Sequence, residues 1–225
     1  MAAEVIVYTA VFGDIGDALD RSVRAEPGVR YVAFLDPESL LRRTAENAGW
    51  QTRLPSFHMP SDSRRQARYH KCLPHRLFPE AEYSLWVDGT LLPKQSVHTL
   101  IKKFLSKHDL CLFSHSHRSR VREEVAACVR RKKDAAGTLL KQAARYREEG
   151  YPDNNGLVET GVVLRRHTPE IKDFGERWWS QIYRHSVRDQ VSFNYVCWRQ
   201  GLAYATFDGK IRESKYFDWR QHKKR

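Results

Sequence analysis

The 225-residue sequence has no apolar run approaching the roughly 18 residues that a membrane-spanning helix needs. Cysteine is scarce: Cys72, Cys111, Cys128 and Cys197 stand apart with no CxxC spacing. That argues against a zinc cluster, supplies no Cys–His nucleophile, and fits reduced thiols in a cytoplasmic setting. The opening MAAEVIVYTAVFGD lacks a basic stretch ahead of its apolar residues, so no secretory leader is expected. Internal repeats and low-complexity linkers are missing too. One domain is therefore expected over 1–225, with a core at about 4–208 and a basic tail at 209–225.

Charge of one sign dominates what is present. Thirty-nine Lys+Arg face 27 Asp+Glu, a net charge of +12. Such an excess attracts nucleotide phosphates, an anionic membrane surface or nucleic acid. The basic residues are dispersed, with local runs at Arg130–Lys133 and His222–Arg225. No zinc-finger, RNP or basic-zipper pattern accompanies them, which leaves nucleic acid the weakest of these partners.

Short β-branched and aromatic runs alternate with helical spacing. Strands are predicted at Val5–Tyr8, Tyr31–Leu35, Trp50–Leu54, Ser84–Val87, Asp109–Ser114 and Val158–Leu164. Helices are predicted over Ser63–Leu73, Val97–Phe104, 121–149 with a break at Gly137, Pro169–His185 and Gln190–Trp198. Residues 204–208 are read as a strand or a loop. The alternation predicts an α/β/α sandwich around a mostly parallel mixed sheet. Ligands of such sheets bind beyond the strand C-termini, so Thr9, Asp36, Asp88, His115 and His117 are expected to converge on one edge.

Several segments carry two readings. In SLWVDGTLLP, residues 84–93, Asp88-Gly89 makes a good turn and also offers a carboxylate at a strand end. Arg64, Arg68 and Lys71 share one helical face, either solvated or facing phosphates. His115, His117 and Arg118 precede Glu123 and Glu124, which read as sugar or acceptor contacts or as helix-start acids. Ser186 and Asp189 have capping-box spacing. The aromatic stripe of Trp178, Trp179, Ile182 and Tyr183 reads as core.

The stretches YTAVFGDIGD (8–17), YVAFLD (31–36), RQARYHKCLPHRLFPEAEYSLWVDG (65–89), HSHRSRVREEV (115–125), ETGVVLRRHTPE (159–170) and RWWSQIYRHSVRDQVSFNYV (177–196) occur in order. They resemble the DUF616 family, also described as TOD1/MUCI70 glycosyltransferase-like domains of the GT-A class. The resemblance implies a single Rossmann-like GT-A fold and a transferase of polysaccharide biosynthesis. It would move a sugar from a nucleotide-sugar, a UDP-sugar first, to a glycan or lipid-linked acceptor. On that reading Tyr8, Thr9, Ala10, Asp36, Arg68, Lys71, Asp88 and Gly89 hold the donor. His115, His117, Arg118, Glu123, Glu159, Thr160 and Gln190 hold the sugar or acceptor. If transfer inverts the anomeric centre, Asp189 is the first candidate for the general base and Glu124 the second, while Asp88 is the site carboxylate that contacts the donor or its metal.

Many GT-A enzymes bind Mn2+ or Mg2+ through a DxD motif. Here Trp86-Val87-Asp88-Gly89 offers one acid, so Asp88 is the only metal ligand this stretch supplies. Arginine and lysine are the alternative counter-charge. A nucleotide- or glycan-binding domain without turnover is the alternative function. A branch of the family is linked to ceramide hydrolysis, for which no hydrolytic zinc site is evident in the sequence.

Overall fold

In a computed structural model, residues 4–13 and 19–221 are described. The basic run at 222–225 and part of the 8–17 motif lie outside them. Seven strands form the central sheet: β1 Val5–Val11, β2 Val29–Leu35, β3 Gln51–Arg53, β4 Tyr83–Val87, β6 Leu110–Ser114, β7 Val158–Arg166 and β8 Ala205–Phe207. Their order is β3-β2-β1-β4-β7-β6-β8. All neighbours are parallel except β7, which runs antiparallel to both β4 and β6.

Strand alternation sorts the core into two layers. Ile6, Tyr8, Ala10, Val32, Phe34, Trp86 and Val163 face one side, under α2 (Ser63–Cys72), α5 (Val121–Arg130), α7 (Pro169–Arg184) and α8 (Asp189–Gln200). Val5, Val7, Tyr31, Ala33, Leu85, Val87 and Leu164 face the other, under α1 (Leu41–Asn47) and α4 (Val97–Phe104). Both faces are therefore covered, which is why the strands read as continuous apolar runs rather than alternating ones.

Two features of this sheet position a site. The chain winds outward from β1 to β3 and returns on the other side of β1 as β4, so strand order reverses between β1 and β4. In addition, Cys111 pairs with Leu164 but Phe113 pairs with Glu159, so β7 carries extra residues opposite Leu112. Such a bulge re-aims side chains, here those of Glu159 and Thr160 near the strand's start.

The structure corrects two local expectations. The helical stretch 121–149 breaks at Arg131–Ala135, where Lys132 adopts a φ of 50°, and Gly137 sits in the first turn of α6 (Ala136–Glu148). Residues 209–221 are not a tail. Ile211–Glu213 form a 3-10 turn, and β9 (Phe217–Trp219) pairs with β5 (Leu91–Pro93) directly after Asp88-Gly89-Thr90. We call this segment the C-terminal strap. Among the described residues no helix is long and apolar enough to cross a membrane.

Candidate functional site

Two cavities open at the switch point. The smaller, about 260 Å³, lies between the ends of β1 and β4, with Ala10, Phe12, Ala67, Trp86 and Gly89 in its walls. The larger, about 520 Å³, extends toward α5, the start of α8 and the strap. Arg68, Asp88 and Thr90 line both. The larger cleft is cationic, with eight arginines and lysines against five carboxylates.

Its floor is a buried charge network. Asp62 caps α2 by accepting from the Arg65 backbone N–H, and the helix then carries Arg68 and Lys71 toward β4 and α8. Lys71 Nζ donates to Asp189 Oδ2 at 2.5 Å and lies 3.7 Å from Asp88 Oδ1. Arg68 Nε is 3.1 Å from the same Asp189 oxygen, and Thr160 donates to it at 2.8 Å. Burial alone would raise the Asp189 pKa, but Arg68, Lys71 and Arg188 together hold its carboxyl well below the usual carboxylate range. Lys71 exposes only 1% of its side chain, so its charge serves the two aspartates rather than solvent.

The C-terminal end of α2 is fixed from below by Arg165, which is fully buried. It donates to the backbone carbonyl of Lys71 at 2.7 Å and to the hydroxyl of Tyr8 at 2.8 Å. Tyr8 in turn donates to the Lys71 carbonyl at 3.0 Å. Positive charge at a helix C-terminus complements the macrodipole, which rationalises a buried arginine with no carboxylate partner among the described residues. Burial pushes the Tyr8 phenol up and keeps it protonated.

Asp88 sits between these layers. Its Oδ1 accepts from Trp86 Nε1 at 2.8 Å, and its backbone N–H donates to the Gly161 carbonyl. A Cβ on Gly161 would lie 3.3 Å from Asp88 Oδ2 and 3.0 Å from Ile211 Cδ1. Glycine is thus what lets β7, Asp88 and the strap meet.

On the far wall, Glu124 is buried and accepts from Arg118 Nε at 2.7 Å, with Arg188 at 3.6 Å. His115 Nδ1 accepts from the backbone N–H groups of His117 and Arg118. Burial, then the Arg118 charge, lower the His115 pKa.

The sequence-predicted residues divide accordingly. Arg68, Lys71, Asp88, His115, His117, Arg118, Glu124, Glu159, Thr160, Asp189 and Gln190 line the larger cleft, and Ala10 and Gly89 the smaller. Tyr8, Thr9, Asp36 and Glu123 line neither. Tyr8 and Thr9 point into the core on opposite faces of β1. Asp36 accepts from the Gly13 backbone N–H at 2.8 Å and so ties the loop after β1. Glu123 accepts from the Ser119 and Arg120 N–H groups, a capping role. The expected capping box at Ser186 is absent: Ser186 donates to Asp134, and Asp189 is the first residue of α8 with its carboxylate turned into the cleft floor.

Sequence reasoning did not find Arg188, Thr90, Ile211, Arg212 or Trp219, all of which line the cleft. Arg188 had a usable signal, its place beside Asp189 in the RDQ block. The strap residues had none, because only the non-local β5–β9 pairing brings them in.

The metal question can be tested on the donor set. Among the described residues no cluster of three or more His, Cys, Asp or Glu side chains is arranged to hold an ion. Asp88 Oδ1 accepts from Trp86 Nε1 and lies 3.7 Å from Lys71 Nζ. Among the described residues Asp88 is thus a single carboxylate beside a cation, and the protein by itself offers no closed set of ligands for a divalent ion there.

Comparison with known proteins is consistent with this architecture. Residues 1–212 match the family described as TOD1/MUCI70, glycosyltransferase-like domain, and the chain belongs to that family. It is 30% identical over 213 residues to the probable hexosyltransferase MUCI70 of Arabidopsis thaliana, covering 85% of this chain and 37% of that protein. It is 28% identical over 140 residues to the alkaline ceramidase TOD1 of Arabidopsis thaliana, covering 56% of this chain and 30% of that one. The chain therefore spans about a third of the length of these curated relatives. Among solved structures, apo mouse xyloside xylosyltransferase 1 superposes with a TM-score of 0.52 at 12% identity, over 92% of this chain and 85% of that one. The fold is that of GT-A glycosyltransferases.

Proposed function

We propose that this glycosyltransferase-like domain transfers a hexosyl unit from a nucleoside diphosphate sugar, a UDP-sugar first, to a hydroxyl of a glycan or lipid-linked acceptor, with the nucleoside diphosphate as leaving group. The observation that carries the reading is the shared wall: Arg68 and Asp88 stand where a cavity with apolar walls meets a cationic cleft. A nucleoside fits the first, a sugar and its acceptor the second, and a diphosphate the junction between them.

The chain's own residues then have defined tasks. Arg68, 19% exposed, reaches the junction and offers charge-assisted hydrogen bonds to phosphate oxygens. As the bond between the anomeric carbon and phosphate oxygen breaks, negative charge grows on the leaving diphosphate. Preformed cations there lower the barrier without reorganising. Arg64, which lines the smaller cavity, adds to that field. Lys71 supports the arrangement from beneath by neutralising Asp189 and Asp88. Asp189, kept ionised by Arg68, Lys71 and Arg188 and already accepting from Lys71 and Thr160, is a weak proton acceptor. We assign it an organising role in place of the base role read from sequence. Glu124, paired with Arg118 and Arg188, is placed in the same class.

The test is a thermal-shift and calorimetric screen of UDP, GDP, CMP and ADP and their hexose conjugates, each with EDTA, Mn2+ or Mg2+. A shift with UDP that survives EDTA is the expected result. A shift that requires Mn2+ or Mg2+ would transfer the counter-charge role from Arg68 to a metal. Binding without turnover would favour the non-catalytic alternative, and no shift with any nucleotide would sink the reading.

A further inference from the structure

The basic run Arg130–Lys133 closes α5 and opens the link to α6, beside the larger cleft. Arg131 and Lys133 line that cleft, exposed at its mouth, and neither lines the smaller cavity. Five of the other six cations in the cleft are matched: Lys71 and Arg68 to Asp189, Arg118 and Arg188 to Glu124, and Lys210 to Glu213. Arg212 lies over the Trp219 ring. Of the two remaining carboxylates, Asp88 accepts from Trp86 and Glu159 from the Ser116 N–H. Arg131 and Lys133 are left with no ion pair and no side-chain hydrogen bond among the described residues.

A run of basic residues is often a loose, solvated stretch, but this one is held at three points. A Schellman turn ends α5: the Lys133 N–H donates to the Cys128 carbonyl at 2.9 Å, and Lys132 takes a left-handed φ of 50°, where glycine is usual. Arg64 Nη2 donates to the Lys133 carbonyl at 2.7 Å. Asp134 accepts from Ser186 Oγ at 2.6 Å and from the Val187 N–H at 2.9 Å, tying the loop to the segment ahead of α8. The two cations are therefore fixed relative to α2 and α8, the helices that carry Arg68 and Asp189. The dipole of α5 favours cations at this end, yet neither side chain returns to a helix carbonyl, and both turn to the cleft.

The position of the pair selects its ligand. Arg64 and Arg68 already stand at the cavity assigned to the nucleoside and at its junction with the cleft. Arg131 and Lys133 flank only the part assigned to the sugar and its acceptor, on the side open to solvent. The anion that meets them there belongs to the molecule that enters last. A glycan carries such charge as the carboxylate of a uronic acid, which the planar guanidinium of an arginine fits with two parallel hydrogen bonds.

We propose that Arg131 and Lys133 form an anion subsite at the mouth of the larger cleft that takes the carboxylate of a uronic acid, so that the acceptor is an acidic glycan. The inference rests on the transferase reading above and names the acceptor class for the same cleft.

The experiment measures, by calorimetry with saturating UDP, the affinity of uronate oligosaccharides derived from hyaluronan and alginate, each against its carboxyl-reduced form. Wild type is compared with the double variant Arg131→Gln/Lys133→Gln. A control, Lys102→Gln/Lys107→Gln, removes the same charge from exposed positions at the end of α4, on the opposite face of the sheet. Wild type should prefer an acidic oligosaccharide by about tenfold, the worth of two exposed ion pairs, and less so at high salt. The double variant should lose that preference and keep its affinity for the reduced form, its melting temperature and its affinity for UDP. The control should behave as wild type. Equal binding of acidic and reduced forms by wild type overturns the proposal, and so does an equal loss in the control, which would assign the attraction to the net charge as a whole. A double variant that weakens UDP but not the oligosaccharide also overturns it, because the loop would then serve the diphosphate. Wild-type protein that binds no UDP overturns the transferase reading instead, and the same oligosaccharide comparison without UDP then decides the subsite by itself.

Discussion

Lys71 Nζ lies 2.5 Å from Asp189 Oδ2, and neither side chain exposes more than 2% of its surface. The pair joins the end of α2 to the start of α8, across 118 residues of sequence. It sets the geometry of everything above it, because Arg68 and Thr160 converge on the same oxygen.

Removing one member of a buried pair strands the other, a loss of about 3–5 kcal/mol. Lys71→Met is therefore expected to destabilise the domain by about that much in urea denaturation, and to raise the Asp189 pKa. A change below about 1 kcal/mol would mean that Arg68 and Arg188 suffice to hold Asp189.

Arg68→Ala should separate binding from folding. Asp189 keeps Lys71 and Thr160, so stability changes little. A charged hydrogen bond to phosphate is worth about 1.5–3 kcal/mol, so calorimetry should show UDP affinity down by roughly ten- to hundredfold. Unchanged affinity would remove Arg68 from the donor site.

Gly161→Ala forces a methyl against Ile211 Cδ1 at 3.0 Å and against Asp88 Oδ2 and Leu91 Cδ1 at 3.3 Å. Overpacking of this kind costs about 1–3 kcal/mol. Because the displaced atoms belong to Asp88 and the strap, nucleotide affinity should fall along with the melting temperature. A lower melting temperature with full affinity would show that the strap yields and Asp88 does not.

Acid should destabilise the fold from about pH 6.5 downward through buried histidines. Burial, opposed by the Gln66 carbonyl, lowers the His70 pKa from 6.5 to about 4. Its Nε2 accepts from the Ser56 N–H while Nδ1 faces the Gln66 carbonyl, so the ring is held neutral. The unfolded chain binds the proton first. Stability is thus complete above pH 6.5 and lost as pH falls towards 4, by about 3 kcal/mol for this residue. His167, lowered by burial and then Arg165 to about 3, adds to the loss in the same window. Denaturation midpoints of wild type and His70→Gln across pH 7 to 4 check this, and parallel curves would rule His70 out as a source.

Much of this was legible in the residues themselves. Apolar runs such as Val5–Tyr8 and Leu85–Val87 marked the strands because burial on both faces demands continuous hydrophobicity, and the C-terminal-edge rule placed Asp88 and His115 on one edge, where both line the larger cleft. The same rule misplaced Thr9, which lies inside a β1 longer than its apolar core suggested. Ser186 and Asp189 matched a local capping pattern, yet Ser186 found its acid in Asp134, 52 residues away.

Local sequence, then, determined the order and type of elements, since propensity and hydrophobic period act over a few neighbouring residues. Tertiary structure alone decided which charges are spent and which are free. Asp88, Glu124, Glu159 and Asp189 are equivalent as letters. Only folding brings cations to three of them and leaves Glu159 to the Ser116 N–H, because pairing energies depend on distance and burial that the chain acquires only when strands far apart in sequence close on one another.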